Sequence, residues 1–265
     1  MLAAGLTLLN PVVAQTTPQF VSSKPQPRVE YWQDRQAQID SDLRNRKDLS
    51  AVKLVFLGDS ITDFWLMDEN LWVKGQFAGR KVWDQSFSGR VPENLAINLG
   101  ISGDRIEHVL YRLLPRSAGG LGHLDAADLN PDFVVLMLGI NNTWAAEEPV
   151  VDSILAGVQA VIASVHERKP RAHIVLQSIL PTNDPQKNQT IVLPANERLR
   201  SIASNAAIAG YTTFLDLYPA FIDAKGRQIT TYFNDGLHPS MDGYKRWRHQ
   251  LEAFLKLARA ARPSR

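Results

Sequence analysis

The 265-residue sequence contains no cysteine. This absence excludes disulfide bridges, thiolate zinc sites and a cysteine nucleophile. The sequence also has little net charge, because 29 lysines and arginines nearly balance 27 aspartates and glutamates. The basic residues are scattered, apart from a C-terminal group formed by Arg259, Arg262 and Arg265. A nucleic-acid partner is therefore not expected, since domains that bind nucleic acid usually carry a concentrated basic surface.

Long apolar runs are missing as well. No uninterrupted run approaches the roughly 20 residues that span a bilayer, so we expect no stable membrane insertion. A shorter apolar segment lies at the N-terminus, and its end, Val12-Val13-Ala14 before Gln15, is typical of a signal-peptidase site. Residues 1–14 are therefore predicted to be the remnant of a secretory signal, and the protein to be secreted or periplasmic. No basic residue precedes the apolar segment, and a cytoplasmic protein whose N-terminus is not a signal is the alternative.

Composition divides the rest of the chain. Residues 15–28 combine prolines with serine and threonine, which predicts a linker. Residues 29–262 are predicted to form a single domain with its core at about 50–258, because 45% hydrophobic and 21% charged residues are ordinary values for a globular chain. Apolar residues spaced among many charges predict an amphipathic helix over 29–48, lying on that domain.

Short apolar runs alternate with helical patterns along this domain. The predicted strands are 52–57, 95–99, 133–138, 173–179 and 212–217, and the predicted helices are about 104–113, 150–167, 194–209 and 241–261. Such alternation predicts an α/β fold with a parallel sheet covered on both faces. The insert at 79–94, which contains Trp83 and Phe87, has no place in the alternation. We expect it to be a surface excursion near the mouth of the sheet.

The first predicted strand ends in Gly58-Asp59-Ser60-Ile61-Thr62. A buried parallel strand that ends in this way brings a serine to the carboxyl edge of the sheet, where open α/β sheets bind ligands. We therefore predict that Ser60 is a nucleophile. A serine hydroxyl attacks poorly at neutral pH, so it needs a base, a group that orients the base and donors for the developing oxyanion.

The predicted base is His238, in the polar turn Asp235-Gly236-Leu237-His238 before the last helix. Asp235 lies three residues earlier, close enough to fold back onto the imidazole and fix its tautomer. Taken alone, this pattern also fits a helix-capping aspartate and a surface histidine. Among the five other histidines, His123 in a glycine-rich loop is a weaker candidate.

Two further strand ends supply candidate oxyanion donors. Gly100-Ile101-Ser102-Gly103-Asp104 leads from the second strand into a helix, where the backbone N–H of Gly103 would be open to an anion. Gly139-Ile140-Asn141 follows the third strand, and the side-chain amide of Asn141 is a good donor. Each motif alone also fits ordinary turn chemistry.

Together and in this order, the motifs resemble the SGNH hydrolase family, also called GDSL esterases and lipases. The matching blocks are Gly58-Asp59-Ser60, Asn98 to Gly103, Gly139-Ile140-Asn141 and Asp235 to His238. The resemblance implies a flavodoxin-like three-layer α/β/α sandwich with a five-stranded parallel sheet. It also implies an oxyanion hole made by the N–H groups of Ser60 and Gly103 and the Asn141 side chain. Residues 100–113 look most like the subgroup of platelet-activating-factor acetylhydrolase subunits, from which Ser102 departs because glycine is common there.

The predicted reaction is hydrolysis of an ester through an acyl-enzyme, on a small-molecule or carbohydrate substrate. It requires no metal or other cofactor, and the usual metal-ligand spacings are missing from the sequence. We expect a short acyl group, above all acetyl. The sequence shows no long apolar lid that would indicate an interfacial lipase. Asp59, Trp65 and Trp144 are candidate substrate contacts, with core or rim packing as the alternative for the two tryptophans.

Other functions fit parts of the same pattern. A lysophospholipase or thioesterase-like enzyme would use the same residues with a longer acyl pocket. A binding module could keep the fold and the residues without the reaction. A flavodoxin-like nucleotide-binding protein is disfavoured, because the segment 58–62 has neither a P-loop nor a G-x-G-x-x-G pattern.

Overall fold

A parallel β-sheet forms the centre of the molecule. Its first four strands are short and almost entirely buried, whereas the fifth, at one edge, is only partly buried. The computed structural model describes residues 19–28, 32–46, 48–145 and 147–261. The strands are β1 (Leu54–Gly58), β2 (Ala96–Asn98), β3 (Phe133–Met137), β4 (His173–Gln177) and β5 (Thr212–Leu215). Their order is β2-β1-β3-β4-β5, and every pair is parallel. Continuous apolar runs suit such strands because both faces of the sheet are covered.

Helices cover the two faces. They are α1 (Gln33–Asn45), α2 (Ser60–Asp63), α3 (Arg80–Ser86), α4 (Ile106–Leu113), α5 (Val150–Arg168), α6 (Pro185–Lys187), α7 (Leu193–Ala203) and α8 (Met241–Ala260). A π-helical turn, Asn188–Val192, joins α6 to α7. α3 packs against α8, and α5 packs against both α4 and α7. The flavodoxin-like α/β/α architecture with five parallel strands is thereby confirmed.

The order of the strands reverses at β1. The chain runs from β1 to β2 on one side, then returns and places β3 on the other side of β1. This reversal creates a topological switch point, which is where open α/β sheets bind their ligands. The segments that follow β1, β2 and β3 leave the sheet at this same edge, so the fold brings together the three strand ends that carry the predicted motifs.

The insert at 79–94 is not the surface excursion that we expected. It forms α3 and a 3-10 turn at Pro92–Asn94, and both Trp83 and Phe87 are buried. Their rings lie 5.2 and 5.1 Å from the ring of Phe56 in β1. A seven-residue helix is too short to give a clear hydrophobic period, so the sequence pattern could not show that this segment belongs to the core.

Residues 19–28, which we call the N-terminal strap, pack on the domain although their composition predicts a linker. Phe20 and Ser22 are buried, and the Ser22 hydroxyl donates to the carbonyl of Ser153 in α5 at 2.7 Å. The carboxylate of Glu147 accepts two backbone N–H groups from the strap. Several of the bonds that attach the strap are made by backbone and hydroxyl groups. Composition and hydrophobic period therefore give little sign of it.

Within the described residues, α5 has the length and mean hydropathy of a helix that could cross a membrane. Its apolar stripe, which includes Ile154, Val158, Val161 and Ile162, is buried in the domain core. The sequence of α5 contains polar residues, so it has no uninterrupted apolar run of the length that spans a bilayer, although its mean hydropathy is high enough. The predicted signal remnant at 1–14 lies outside the described residues.

Candidate active site

Ser60 begins α2, directly after the carboxyl end of β1. Asp59 caps this helix, because its carboxylate accepts the N–H of Ile61 at 3.0 Å. Tyr244 of α8 holds the same turn, with its hydroxyl donating to the Ile61 carbonyl at 2.8 Å. Ser60 is only 3% exposed. The serine is therefore fixed in a packed turn, and only a small part of its surface is accessible.

Asp59 is a capping residue in the structure rather than the substrate contact that we predicted. Its side chain is buried beneath the turn. Burial, reinforced by the carboxylates of Asp104 and Asp63, raises the pKa of Asp59 to about 7.

Ser60, His238 and Asp235 form a continuous line of hydrogen bonds. His238 Nε2 lies 2.9 Å from Ser60 Oγ, and His238 Nδ1 lies 2.7 Å from Asp235 Oδ2. An imidazole that donates Nδ1–H to the carboxylate has Nε2 free to accept the serine proton. The structure thus brings together the three side chains predicted as nucleophile, base and orienting group.

Asp235 is also held by its own turn. Its Oδ1 accepts the N–H groups of Leu237 and His238 at 3.0 and 2.7 Å. Burial acts to raise the pKa of Asp235, but the hydrogen bonds from the His238 ring and backbone outweigh burial and hold that pKa well below its usual range. A carboxylate that remains ionised can stabilise a positively charged imidazolium beside it.

The loop after β2 approaches α2 very closely. A Cβ atom on Gly100 would lie 2.5 Å from the backbone nitrogen of Asp63, so only glycine permits this approach. Asn98 ties the two segments together, since it donates to the Thr62 carbonyl at 2.7 Å and accepts the Gly100 N–H at 2.7 Å. Gly103 has a φ of +78°, a left-handed conformation that glycine adopts without strain. No described residue accepts its N–H.

Charged side chains brace this loop from three directions. Asp63 of α2 accepts the N–H and hydroxyl of Ser102 at 3.0 and 2.8 Å, so the serine that departs from the resembled subgroup forms a bridge. Arg112 of α4 is buried and donates to the Asp104 carboxylate at 2.8 Å. Arg28 of the N-terminal strap donates to the same carboxylate at 3.0 Å and to the Ser102 carbonyl at 2.7 Å. None of these braces was predicted from the sequence.

Asn141 begins the 3-10 turn Asn141–Trp144 after β3. Its Nδ2 donates to the Asp104 carbonyl at 2.8 Å, which fixes the amide beside the loop that carries Gly103. The neighbouring Asn142 is buried and binds the start of α4 instead. Gly103 and Asn141 therefore lie on adjoining segments, as an oxyanion hole requires.

The two predicted tryptophan contacts lie in different places. Trp65 is fully buried, and its ring packs 4.6 Å from Tyr244 and 5.1 Å from Trp247. It belongs to the core, so its predicted role as a substrate contact is wrong. Trp144 is 58% exposed, with the ammonium of Lys187 3.8 Å from its ring centroid. It ends the turn that begins with Asn141, and its exposed ring is accessible there.

His123, the weaker candidate base, lies outside this site. It is fully buried, with Nδ1 3.2 Å from Arg112 and Nε2 3.0 Å from Gln36. Burial, together with the charge of Arg112, lowers the pKa of His123 well below its ordinary value, so it serves as a neutral packing group. In the part of the chain that the structure describes, no three acidic or histidine side chains are grouped to hold a metal ion.

Three residues that contact His238 or Asp235 were not predicted from the sequence. The rings of Phe64 and Trp72 lie 4.8 and 4.6 Å from the imidazole. Asn70 Nδ2 lies 3.3 Å from Asp235 Oδ2, across a separation of 165 residues. No spacing rule connects positions so distant, and only the fold reveals the contact.

Comparison with known proteins defines the class. Residues 56–246 match the model of the GDSL-like lipase/acylhydrolase family. Platelet-activating factor acetylhydrolase IB subunit alpha1 of Pongo abelii is 32% identical over 199 residues, which cover 72% of this chain and 70% of that protein. The chain belongs to the GDSL-like lipase/acylhydrolase family, and it is an ester hydrolase.

Two solved structures share the fold. A GDSL-like lipase from Bacteroides thetaiotaomicron superposes with a TM-score of 0.59 at 18% identity, over 84% of this chain and 99% of that one. A mutant of an acetyl-xylooligosaccharide esterase from Geobacillus Stearmophilus superposes with a TM-score of 0.53 at 20% identity, over 76% and 93%. Identities this low support the common architecture and nothing finer.

Proposed function

We propose that this chain is a serine esterase that removes short acyl groups, above all acetyl, from carbohydrate esters. Ser60 is the nucleophile, His238 the general base and Asp235 the residue that orients it. The observation that supports this most strongly is the line of hydrogen bonds, 2.7 Å from Asp235 to His238 and 2.9 Å from His238 to Ser60. The same three residue types in this arrangement carry acyl transfer on several unrelated folds.

In the proposed reaction, Ser60 Oγ attacks the ester carbonyl while His238 Nε2 takes its proton. Asp235, whose low pKa keeps it ionised, stabilises the resulting imidazolium. The tetrahedral intermediate collapses as His238 gives the proton to the leaving alcohol, and the acyl group remains on Ser60. A water molecule that His238 deprotonates then attacks the acyl-enzyme, which releases the acid and restores the serine.

The developing negative charge is received by the N–H groups of Ser60 and Gly103 and by Asn141 Nδ2. Donors already held in place stabilise a transition state without a cost of reorganisation. The hydrogen bond from Asn141 to the Asp104 carbonyl supports such preorganisation. A guanidinium nitrogen of Arg28 would lie 2.7 Å from a Cβ atom on Gly103, so a positive charge adjoins this hole.

The acetyl preference is supported by the similarity to a platelet-activating factor acetylhydrolase subunit, at 32% identity. The carbohydrate part is supported by Trp144, whose exposed ring close to Asn141 offers an apolar platform for the face of a sugar. The signal-like segment at 1–14 supports a place outside the cytoplasm, and export is part of this proposal.

A panel of esters tests the proposal. Acetylated sugars and p-nitrophenyl esters of increasing acyl length are compared as substrates. We expect the highest kcat/KM with acetyl and a steep fall beyond about four carbons, because a short acyl pocket rejects added methylenes. Ser60→Ala should abolish hydrolysis, whereas Ser88→Ala, at an exposed serine elsewhere, should leave it unchanged. Hydrolysis that persists in Ser60→Ala contradicts the mechanism.

The second candidate is an enzyme that acts on longer acyl chains, as in lysophospholipases or thioesterases. The observation that favours it is the exposure of three large apolar side chains on one loop near His238, namely Leu71, Trp72 and Phe77. Such a surface could hold an acyl chain of greater length. A kcat/KM that rises with acyl length across the panel would establish this candidate and exclude the first.

A further inference from the structure

Residues 68–78, between the 3-10 turn Phe64–Leu66 and α3, form a closed hairpin that we call the 68–78 hairpin. Its two sides are joined by hydrogen bonds from Ala78 N to the Asp68 carbonyl at 2.9 Å and from Asn70 N to the Gln76 carbonyl at 2.8 Å. Gly75 turns the tip with a φ of +78°. The segment therefore has a defined shape of its own, although it carries neither the nucleophile nor the base.

The hairpin is docked on the turn that carries Asp235 and His238. The Phe77 carbonyl accepts the N–H of Met241 at 3.0 Å and the side-chain amide of Asn234 at 3.1 Å. These two donors lie on either side of the Asp235–His238 pair along the chain. The hairpin thus holds both ends of the segment that presents the base.

Asn70 connects the hairpin to the carboxylate itself. Its Oδ1 accepts the N–H groups of Trp72 and Val73 at 2.8 and 3.1 Å, which shapes the turn of the hairpin. Its Nδ2 donates to Asp235 Oδ2, the same oxygen that receives Nδ1–H of His238. Asn70 is 3% exposed, whereas the Asp235 side chain that accepts its hydrogen bond is 21% exposed, so this bond is partly shielded from water.

Trp72 contacts the imidazole itself. Its ring lies 4.6 Å from the His238 ring, and the ring of Phe64 lies 4.8 Å from the same imidazole and 5.1 Å from Trp72. The two aromatic rings limit rotation of the imidazole away from Ser60. Trp72 nevertheless remains more than half exposed, so its place against His238 is set by the backbone that Asn70 organises and not by burial in the core.

We propose that Asn70 and Trp72 are positioning residues for the reaction, through which the 68–78 hairpin holds the Asp235–His238 pair in line with Ser60. This inference rests on the proposed function of that pair. Asn70 acts through the carboxylate and Trp72 through the imidazole ring. Neither role requires a contact with the reacting ester.

Asn70→Asp tests the first part. The variant keeps the oxygen that shapes the hairpin but replaces the donor at Asp235 with a second carboxylate. The added negative charge favours a protonated imidazole, so the acid limb of the pH profile of kcat/KM should move to higher pH by about one unit. Tyr244, which interacts electrostatically with the carboxylates of Asp63, Asp59 and Asp235, is unchanged in the variant, as are those three carboxylates.

Asn196→Asp is the matched control. Asn196 is also buried and also bonds the backbone on both sides, with the N–H and carbonyl of Ile179, but it has no contact with His238. A loss of folding stability with an unmoved acid limb is expected there. The same behaviour in Asn70→Asp would overturn the proposal, because Asn70 would then act only on stability.

Trp72→Ala tests the second part at an exposed position where misfolding is not expected. We expect kcat to fall about tenfold to a hundredfold with little change in KM, since the base would be less well aligned. Trp72→Phe restores a ring against the imidazole and should recover most of the rate. Equal losses in both variants, or a change in KM alone, would contradict a positioning role.

Labelling of Ser60 by a fluorophosphonate distinguishes a failure of the positioning role from a failure of the proposed function. If the wild-type enzyme is labelled while the pH profile of Asn70→Asp and the rate of Trp72→Ala are unaltered, the positioning role is wrong and the proposed function stands. If the wild-type enzyme is not labelled at Ser60, the proposed function fails and the positioning role fails with it.

Discussion

Asn141 has a side-chain nitrogen that carries two hydrogens. The Asp104 carbonyl takes one of them, and among the described residues the second has no partner. A donor that is held in place but incompletely used is suited to a charge that appears only in the transition state. Substitution of Asn141 is therefore a direct test of the oxyanion hole.

We expect Asn141→Ala to lower kcat by about a hundredfold to a thousandfold with little change in KM. Thr143→Ala in the same turn is the control, because among the described residues that hydroxyl bonds only the Ile140 carbonyl. Steady-state kinetics on an acetyl ester give both values. Equal, small effects of the two substitutions would show that Asn141 is merely part of the turn.

Asp59 makes stability depend on pH. Its pKa is about 7 in the folded protein, against about 4 in an unfolded chain. The folded state therefore holds this proton more tightly, and the contribution of Asp59 to the free energy of unfolding is complete below about pH 4 and is lost as the pH rises through 7.

Asp59→Asn keeps an oxygen for the Ile61 N–H and removes the titration. We expect the free energy of unfolding of the variant, relative to wild type, to increase from about pH 5 to about pH 8. Urea denaturation at the two pH values measures this difference. A difference that is constant or decreases with pH would mean that the Asp59 carboxyl group is not protonated in the folded protein.

At the scale of helices and strands, an aromatic layer connects α3 and α8 to β1. Trp65 lies within it, in contact with Trp83, Phe87, Tyr244 and Trp247. Trp65→Ala should lower the free energy of unfolding by about 3–5 kcal/mol, because a large cavity forms in the core. Trp72→Ala, at an exposed ring, should cost about 1 kcal/mol or less. Denaturant unfolding of both variants distinguishes the two environments, and similar costs would contradict this assignment.

The strands and the long helices could be predicted because their apolar periods are local. β1, β3 and α5 have nearly the bounds that the sequence indicates. α3 and the 68–78 hairpin could not be predicted, since neither has enough residues to show a period and both depend on partners far along the chain. For the same reason the sequence left the role of Trp65 open between core and site.

At the scale of the whole molecule, the switch point explains why so much of the site was predictable. Ser60, Gly103 and Asn141 follow β1, β2 and β3, whose carboxyl ends lie side by side at one edge of the sheet. Once the strands and motifs are recognised in the sequence, the strand order is enough to bring these residues together. The side chains that hold the loops of the site in place could not be predicted. Arg28, Arg112 and Asn70 reach it from separate elements, and ordinary spacing carries no sign of them.

The N-terminal strap packs on the surface of the domain, and its Arg28 side chain binds the loop that carries Gly103. Removal of residues 1–28 should lower Tm by at least about 5 °C, because the buried contacts of Phe20 and Ser22 are lost. It should also lower kcat, since the loop that carries Gly103 loses a brace. Arg28→Ala in the full chain should reproduce the loss of kcat with a smaller change in Tm. An unchanged Tm after removal would contradict the packed role of the strap.

The central claim is that Ser60 is a nucleophile activated by His238. The enzyme is incubated with a fluorophosphonate at neutral pH, and its peptides are mapped by mass spectrometry. The account predicts one covalent adduct, on Ser60, that is absent from Ser60→Ala and forms far more slowly in His238→Ala. An enzyme that hydrolyses esters but carries no adduct on Ser60, or that labels equally fast without His238, would contradict it.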